Sequence, residues 1–240
     1  MGIEVKNLTK KYDKKVVLDD ISFSVEDGKT LCVIGFSGSG KSTILKIISK
    51  LTDYNSGEII TDDCDIAMVF QYSALFDSLN VSENISFALT ERPEFKGKYT
   101  QEEIKKIVAN SLKLVGLEGI EEKYPHELSG GMQKRVSFAR AIVTNPGIIL
   151  YDEPTAGLDP VSSTVIEDYI VRLKEETKAT SIVVTHQLST IKNTADKVIM
   201  LYDGKIVFEG DYETLMKKDT PYTKQFVEAT IDGPMKIGVN

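Results

Sequence analysis

Short apolar runs punctuate the chain, and stretches of helical period separate them. Thr30–Ile34, Ile66–Phe70, Gly147–Tyr151 and Thr180–Thr185 are too brief for core helices and carry enough Ile, Val and Leu to predict buried strands. Between them, Thr43–Ile48 and Val161–Glu175 place apolar residues at helical spacing. From about 81 to 145 the period is helical throughout: Thr100 and Glu103 form a capping box, Ile104, Ile107, Val108, Leu112 and Val115 continue one apolar face, and Gly116 stops it. The ends of the chain read differently. Residues 3–25 alternate, predicting strands around Ile3–Val5 and Ile21–Val25 with turns at Lys10–Asp13 and Glu26–Lys29. Asn55–Gly57 turns into a strand at Glu58–Thr61, and Val198–Leu201 and Ile206–Phe208 flank an Asp203-Gly204 hairpin turn. Beyond 211 the sequence predicts one short helix, a second near Tyr222–Ala229 and a loose end at Asp232–Pro234. Strands alternating with helices predict an α/β fold.

The first strand run feeds a motif. Gly35-Phe36-Ser37-Gly38-Ser39-Gly40-Lys41-Ser42-Thr43 matches G-x-x-x-x-G-K-[ST] at every required position, between a predicted strand and a predicted helix. Such a loop turns successive N–H groups toward a di- or triphosphate, and the following helix adds its positive end. Lys41 supplies a charge between the outer phosphates, and the Ser42 hydroxyl is a hard ligand for Mg²⁺.

Other strand ends carry polar residues where α/β folds bind ligands. Gly147–Tyr151 runs into Asp152-Glu153, which predicts Asp152 holding Mg²⁺ through water and Glu153 as general base for the attacking water. Thr180–Thr185 delivers His186 to the same edge, within reach of a γ-phosphate. Gln71 follows Ile66–Phe70 and reads either as a ligand to a metal or water or as a plain polar cap. Ser129 caps a helix whose first residues are Gly130 and Gly131, giving either an anion site or an ordinary helix start. Tyr12 is either an adenine stacker or a half-exposed turn tyrosine, and the loop 154–160 lets Asp159 reach a neighbouring subunit. His126 takes no role.

Composition narrows the classes. With 240 residues, 41% hydrophobic and 27% charged, the chain is of ordinary globular make-up, and its net charge of -7 argues against a nucleic-acid partner. Cys32 and Cys64 lie far apart and suit a reducing compartment. No apolar run approaches the ~18–20 residues that cross a bilayer. Neither a secretory leader nor a myristoylation pattern opens the chain, so a membrane role is expected to come through a partner.

In this order (Tyr12, the loop 35–43, Gln71, Ser129-Gly130-Gly131, Asp152-Glu153, Asp159, His186) the motifs resemble the nucleotide-binding subunit of an ATP-binding cassette (ABC) transporter over nearly the whole chain. The resemblance implies a P-loop NTPase fold. A RecA-like core spans about 1–71 and 146–213, with an antiparallel β portion, an inserted helical subdomain at 72–145 and a tail at 214–240. It implies ATP and Mg²⁺ as cofactors, with the loop from Gly35 to Thr43, Gln71, Ser129, Gly130, Gly131, Gln133 and Asp159 contacting nucleotide, and Ser42, Gln71 and Asp152 serving the metal. It implies a head-to-tail homodimer in which each signature helix closes on the ATP of the other copy, and an integral permease reached through the region after Gln71. The tail is expected to dock on the second copy. Asp77-Ser78-Leu79-Asn80-Val81, Ser129–Met132 with Lys134-Arg135, Asp152–Pro160 and Asp232-Gly233-Pro234 look like the Mla-type branch, ATPases of phospholipid transporters working with mammalian-cell-entry (MCE) proteins. That implies a peripheral place on the cytoplasmic face of the inner or plasma membrane. A cargo such as amino acids is the alternative within transport; a DNA-repair or translation ATPase is disfavoured by the single cassette without a coiled-coil insertion. Two departures stand out. Phe36 replaces a usual proline, and the short segment from Glu58 to Gln71 implies a trimmed antiparallel portion.

Overall fold

A computed structural model describes residues 2–236. The chain opens with an antiparallel hairpin, β1 (Ile3–Tyr12) and β2 (Lys15–Val25), followed by β3 (Thr30–Ile34) and α1 (Lys41–Ile48). β4 (Ser56–Thr61) and β5 (Ile66–Val69) precede three helices, α2 (Val81–Glu91), α3 (Gln101–Leu114) and α4 (Gly130–Ile142). Then come β6 (Ile148–Asp152), α5 (Pro160–Thr177), β7 (Thr180–Val184), α6 (Leu188–Thr194), β8 (Lys197–Tyr202), β9 (Lys205–Gly210), α7 (Tyr212–Lys217) and α8 (Pro221–Glu228). The strands form a three-stranded sheet, β2-β1-β4, and a six-stranded sheet, β5-β6-β7-β3-β8-β9. The large sheet is parallel except for its β8–β9 edge pair.

Its apolar strands are covered on both faces, which is why they read as unbroken hydrophobic runs. Alternate side chains divide between two cores. Leu31, Val33, Leu150, Ile182 and Leu201 join α1 and the antiparallel sheet through Ile44, Leu45, Val5, Leu8 and Phe23. Cys32, Ile34, Tyr151, Val183 and Met200 face α4, α5 and α6 through Phe138, Ile170 and Ile191. Each such aliphatic side chain contributes roughly 1.5–3 kcal/mol by leaving water. Burial pushes the Cys32 thiol up to about 12, against a hydrogen bond to Thr194, so the group behaves as a small apolar residue.

Two expectations change. Lys10–Tyr12 belongs to β1, and the turn shrinks to Asp13-Lys14, with Asp13 in the left-handed region at φ 51°. The hairpin tip pairs Tyr12 with Lys15 in the open, where no buried face imposes alternation. The helical stretch from 81 to 145 divides where the sequence divides it, α3 ending just before Gly116 and α4 starting behind Ser129, with α2 as a further helix; 92–100 and 115–129 are turns apart from a 3₁₀ turn at Pro125–Glu127. The segment Asp232–Pro234, in turn, is not a loose end: it is tied back through its neighbours Ile231 and Met235.

The side-chain amide of Gln225 folds the tail back. Its Nε2 donates to Ile231 O at 3.2 Å and Met235 O at 2.9 Å, and its Oε1 accepts from Met235 N at 2.8 Å. Met235 is fully buried, and Lys236 N donates to Tyr202 Oη at 2.9 Å. Residues 237–240 of the expected tail, like Met1, lie outside the described residues. Replacing Gln225 with Ala strands the Met235 amide and carbonyl, so the tail beyond α8 is expected to come free at a cost of about 1–3 kcal/mol. Limited proteolysis will cut Gln225→Ala after residue 228 well before the parent chain; equal cutting rates would refute the tie.

Candidate functional site

Strand order puts the C-terminal ends of β6, β7 and β3 side by side, and a cavity of ≈ 660 Å³ opens over them. On its floor the loop from Gly35 to Gly40 joins β3 to α1. Gly35 adopts φ +142°, and a Cβ there would sit 2.3 Å from Leu201 O; Gly40, at φ +101°, would drive one into Leu18 at 2.9 Å. Both positions require glycine for space and for backbone conformation. Lys41 is buried, and its ammonium bends back to donate to Gly35 O at 2.8 Å and Phe36 O at 2.9 Å. Burial lowers its pKa from the ordinary lysine value, and the Glu153 and Asp152 carboxylates oppose that fall. Ser39 Oγ is buried without a hydrogen-bond partner. Ser42 Oγ donates to Asp152 Oδ1 at 2.8 Å. An ammonium, an orphan hydroxyl and a hydroxyl–carboxylate pair around a glycine loop match a polyphosphate and the hard cation that accompanies it.

Asp152 ends β6 and is buried; Glu153 is the first residue past it. Its backbone sits at φ 47°, a left-handed conformation that costs a non-glycine residue about 1–3 kcal/mol and is held by Glu153 N donating to Val184 O at 2.9 Å. Strain of this kind concentrates at working residues. Across the edge, His186 Nδ1 lies 3.1 Å from Glu153 Oε1 and 3.0 Å from Oε2. Both carboxylate oxygens thus face the imidazole, and Oε2, buried at the cavity wall with no other hydrogen bond, keeps a lone pair to accept a water proton.

Gln71 enters the cavity just past β5, and the loop that carries it is clamped from α4. Lys134 Nζ donates to Gln71 O at 3.0 Å, and Arg140 donates to Ser73 O at 2.8 Å and Ala74 O at 2.7 Å. Ser73 and Ala74 hold φ of 49° and 48°, so the clamp secures a strained turn. Sequence reasoning missed Lys134 and Arg140 as site supports. The one signal was a lysine beside the buried run Val136–Ala139 of α4.

Of the predicted residues, Gly35, Phe36, Ser37, Gly38, Gly40, Lys41, Ser42, Thr43, Gln71, Glu153 and His186 line this one cavity. Ser39 and Asp152 sit directly behind that lining, in the loop and against Ser42, and the remaining predicted residues stand elsewhere. Tyr12 ends β1 with its ring 45% exposed beneath Lys10 Nζ, 4.6 Å from the ring centre. Ser129 Oγ caps α4 by accepting from Met132 N at 3.3 Å, and Gln133 Nε2 donates to Pro125 O at 2.9 Å. Gly130 and Gly131 have nothing within 4 Å of where a Cβ would stand. Asp159 caps α5, accepting from Val161 N and Ser162 N at 3.0 Å each. Hydrogen bonds from Ser162 hold its carboxyl below the usual range.

This fold and cavity define a P-loop ATPase. The ABC transporter family model matches residues 18–156, and the chain belongs to that family. Among relatives, it is 41% identical to the protein TRIGALACTOSYLDIACYLGLYCEROL 3, chloroplastic, of Arabidopsis thaliana, over 98% of this chain and 75% of the relative. It is 36% identical to the intermembrane phospholipid transport system ATP-binding protein MlaF of Haemophilus influenzae, over 98% of this chain and 93% of that one. A dimeric, post-hydrolysis structure of the ATP-binding cassette MJ0796 bound to ADP and Pi superposes with TM-score 0.77 at 33% identity, covering 88% of this chain and 98% of the other.

Replacing Lys41 with Ala removes the cavity's ammonium and frees the Gly35 and Phe36 carbonyls. ATP affinity is expected to fall roughly ten- to hundredfold, the worth of a charge-assisted hydrogen bond. Titration with a fluorescent ATP analogue reads this directly, and an unchanged Kd would contradict the loop's role.

Proposed function

We propose that two copies of this chain pair head to tail as the ATPase of an ABC transporter whose separate permease moves phospholipid. One observation carries the pairing: the chain holds both halves of a nucleotide site, yet its bare helix start at Ser129, Gly130 and Gly131 is absent from the lining of its own cavity. A glycine-flanked helix N-terminus with open space around it is suited to a phosphate presented by another copy. Gln133, by bonding Pro125 O and Leu128 O, stiffens the turn leading into that helix. Asp159 would reach the second copy from the loop before α5, and Tyr12, at the end of β1, would stack on the adenine.

The remaining assignments follow from the cavity. Lys41 and the Gly35–Thr43 amides bind the phosphates. Ser42, Asp152 and Gln71 would hold Mg²⁺, which neutralises charge on the phosphate oxygens when bound. Glu153 Oε2 takes the proton of the attacking water, and His186 holds the Glu153 carboxyl in place through Oε1 while facing the terminal phosphate. The energetic logic is differential binding: a nucleotide joining two faces stabilises the closed pair, and its hydrolysis removes that link.

Residues about 72–145 form the helical subdomain in this reading, inserted into a core of about 1–71 and 146–213. A groove between Phe76, Phe87, Ala88 and Ala141 offers the permease an apolar seat next to the clamped Gln71 loop. The Phe76 and Phe87 rings meet with centroids 4.7 Å apart, tilted by 39° and partly open, and an Arg92–Asp65 pair at 2.8 Å closes one end. Among the described residues no helix is long and apolar enough to cross a membrane, which supports peripheral attachment through that seat, on the cytoplasmic face. The phospholipid cargo rests on likeness to the Haemophilus relative, and an MCE-type protein in the same complex rests on the resemblance of the motifs to the Mla-type branch.

Glu153→Gln keeps the side chain's shape but removes its basicity. ATP turnover is expected to drop by 10²-fold or more while ATP affinity stays within about twofold. Phosphate release alongside nucleotide titration checks both; retained turnover would overturn the assignment.

A further inference from the structure

The two segments that leave the sheet with Glu153 and His186 are tied together a second time, below the cavity, by a carboxyl group that the hydrolytic scheme leaves unused. Glu167, on α5, is fully buried. Its Oε1 accepts from Ser189 Oγ at 2.9 Å and Thr190 Oγ1 at 2.7 Å, and its Oε2 accepts from Asn193 Nδ2 at 2.6 Å. All three donors are neutral and sit on α6, the helix that begins two residues after His186. Thr190 Oγ1 in turn lies 3.2 Å from Thr155 Oγ1, and Thr155 is itself fully buried two residues after Glu153. Thr190 gives its one hydroxyl proton to the carboxylate, so Thr155 must be the donor of that contact. The result is a directed chain, Thr155 to Thr190 to Glu167, with a charged acceptor at its end to strengthen each link.

Packing alone does not call for this arrangement. An aliphatic residue at 167 would hold α5 against α6 without the desolvation cost of a buried carboxyl group that lacks a cationic partner among its hydrogen bonds. What the carboxyl provides is direction and length. It anchors α6 and the loop after Glu153 to one point, and these directly follow His186 and Glu153, whose ring nitrogen and carboxylate meet at 3.0–3.1 Å.

We infer that Glu167 is a positioning residue for hydrolysis, setting the spacing of Glu153 and His186 through Thr190 and Thr155. The inference rests on the assignment of Glu153 and His186 to that reaction.

Thr155→Val tests it, since the methyl keeps the volume and only the donor is lost. The expected result is kcat lower by about tenfold or more, with KM for ATP and nucleotide Kd within about twofold. Thr155→Ser, which restores the hydroxyl, should bring kcat back to within about threefold of the parent. In a His186→Ala background, Thr155→Val should cost nothing further, because the contact it positions is already gone. Should Thr155→Val fail to fold, Glu167→Gln is read in the same two backgrounds with the same expectation. Unchanged kcat in Thr155→Val, or a loss that multiplies with that of His186→Ala, overturns the inference alone. Full turnover in His186→Ala by itself overturns the site assignment and the inference with it.

Discussion

Everything chemical in this chain depends on three parallel strands ending side by side. β6 delivers Asp152 and Glu153, β7 delivers His186, and β3 delivers the phosphate loop, in the neighbouring order β6-β7-β3. The order matters because the groups are far apart along the chain. Glu153 and His186 meet at 3.1 Å across 33 residues, and Ser42 reaches Asp152 at 2.8 Å across 110. Backbone ladders in register, such as Asp152 opposite Val184 and Val33 opposite Val184, set those distances before any side chain turns. A one-residue slip would turn Asp152 and Glu153 to the wrong faces, and strands buried on both sides leave little freedom to slip.

On that rigid edge the structure places a few strained residues. Glu153 holds φ 47°, and Ser73 and Ala74 hold 49° and 48° in the loop behind Gln71. Each is restrained from a different direction: Glu153 by the Val184 carbonyl, the Gln71 loop by Lys134 and Arg140 of α4. Because α4 begins at Ser129 and Gly130, the helix that carries the bare N-terminus also grips the loop that carries Gln71. Burial lowers the Lys134 pKa and the Glu153 carboxylate opposes that fall, so the clamp and this carboxylate sense each other electrostatically. The groove beside Phe76 and Phe87 thus lies against the same clamped loop that carries Gln71 into the cavity.

What could be read ahead followed the range of the interaction. The phosphate loop was legible because every residue in it answers a local demand, glycine for space or lysine for charge, at fixed spacing. Strand ends carrying Asp152, Glu153, Gln71 and His186 were legible because an apolar run that stops at a polar residue marks a sheet edge. The Lys10–Tyr12 segment misled because this end of β1 runs out into solvent, beyond the buried alternation of Ile3, Val5 and Leu8. The tail misled because the tie of Gln225 to Met235 depends on Met235 finding a place in the core, which no local pattern announces. Lys134, Arg140 and Glu167 were hidden for a related reason. A charged residue within a helix normally reads as a solvated face, and only tertiary packing shows what it holds.

The central claim is that ATP joins two copies of this chain through half-sites that one copy cannot close by itself. The most direct measurement is the solution mass of Glu153→Gln by light scattering, with Mg²⁺ and either ATP or ADP. The account predicts a particle of twice the 26.6 kDa chain mass with ATP and the single chain with ADP. A 26.6 kDa particle in both nucleotides, at ATP concentrations that saturate the site, would contradict it.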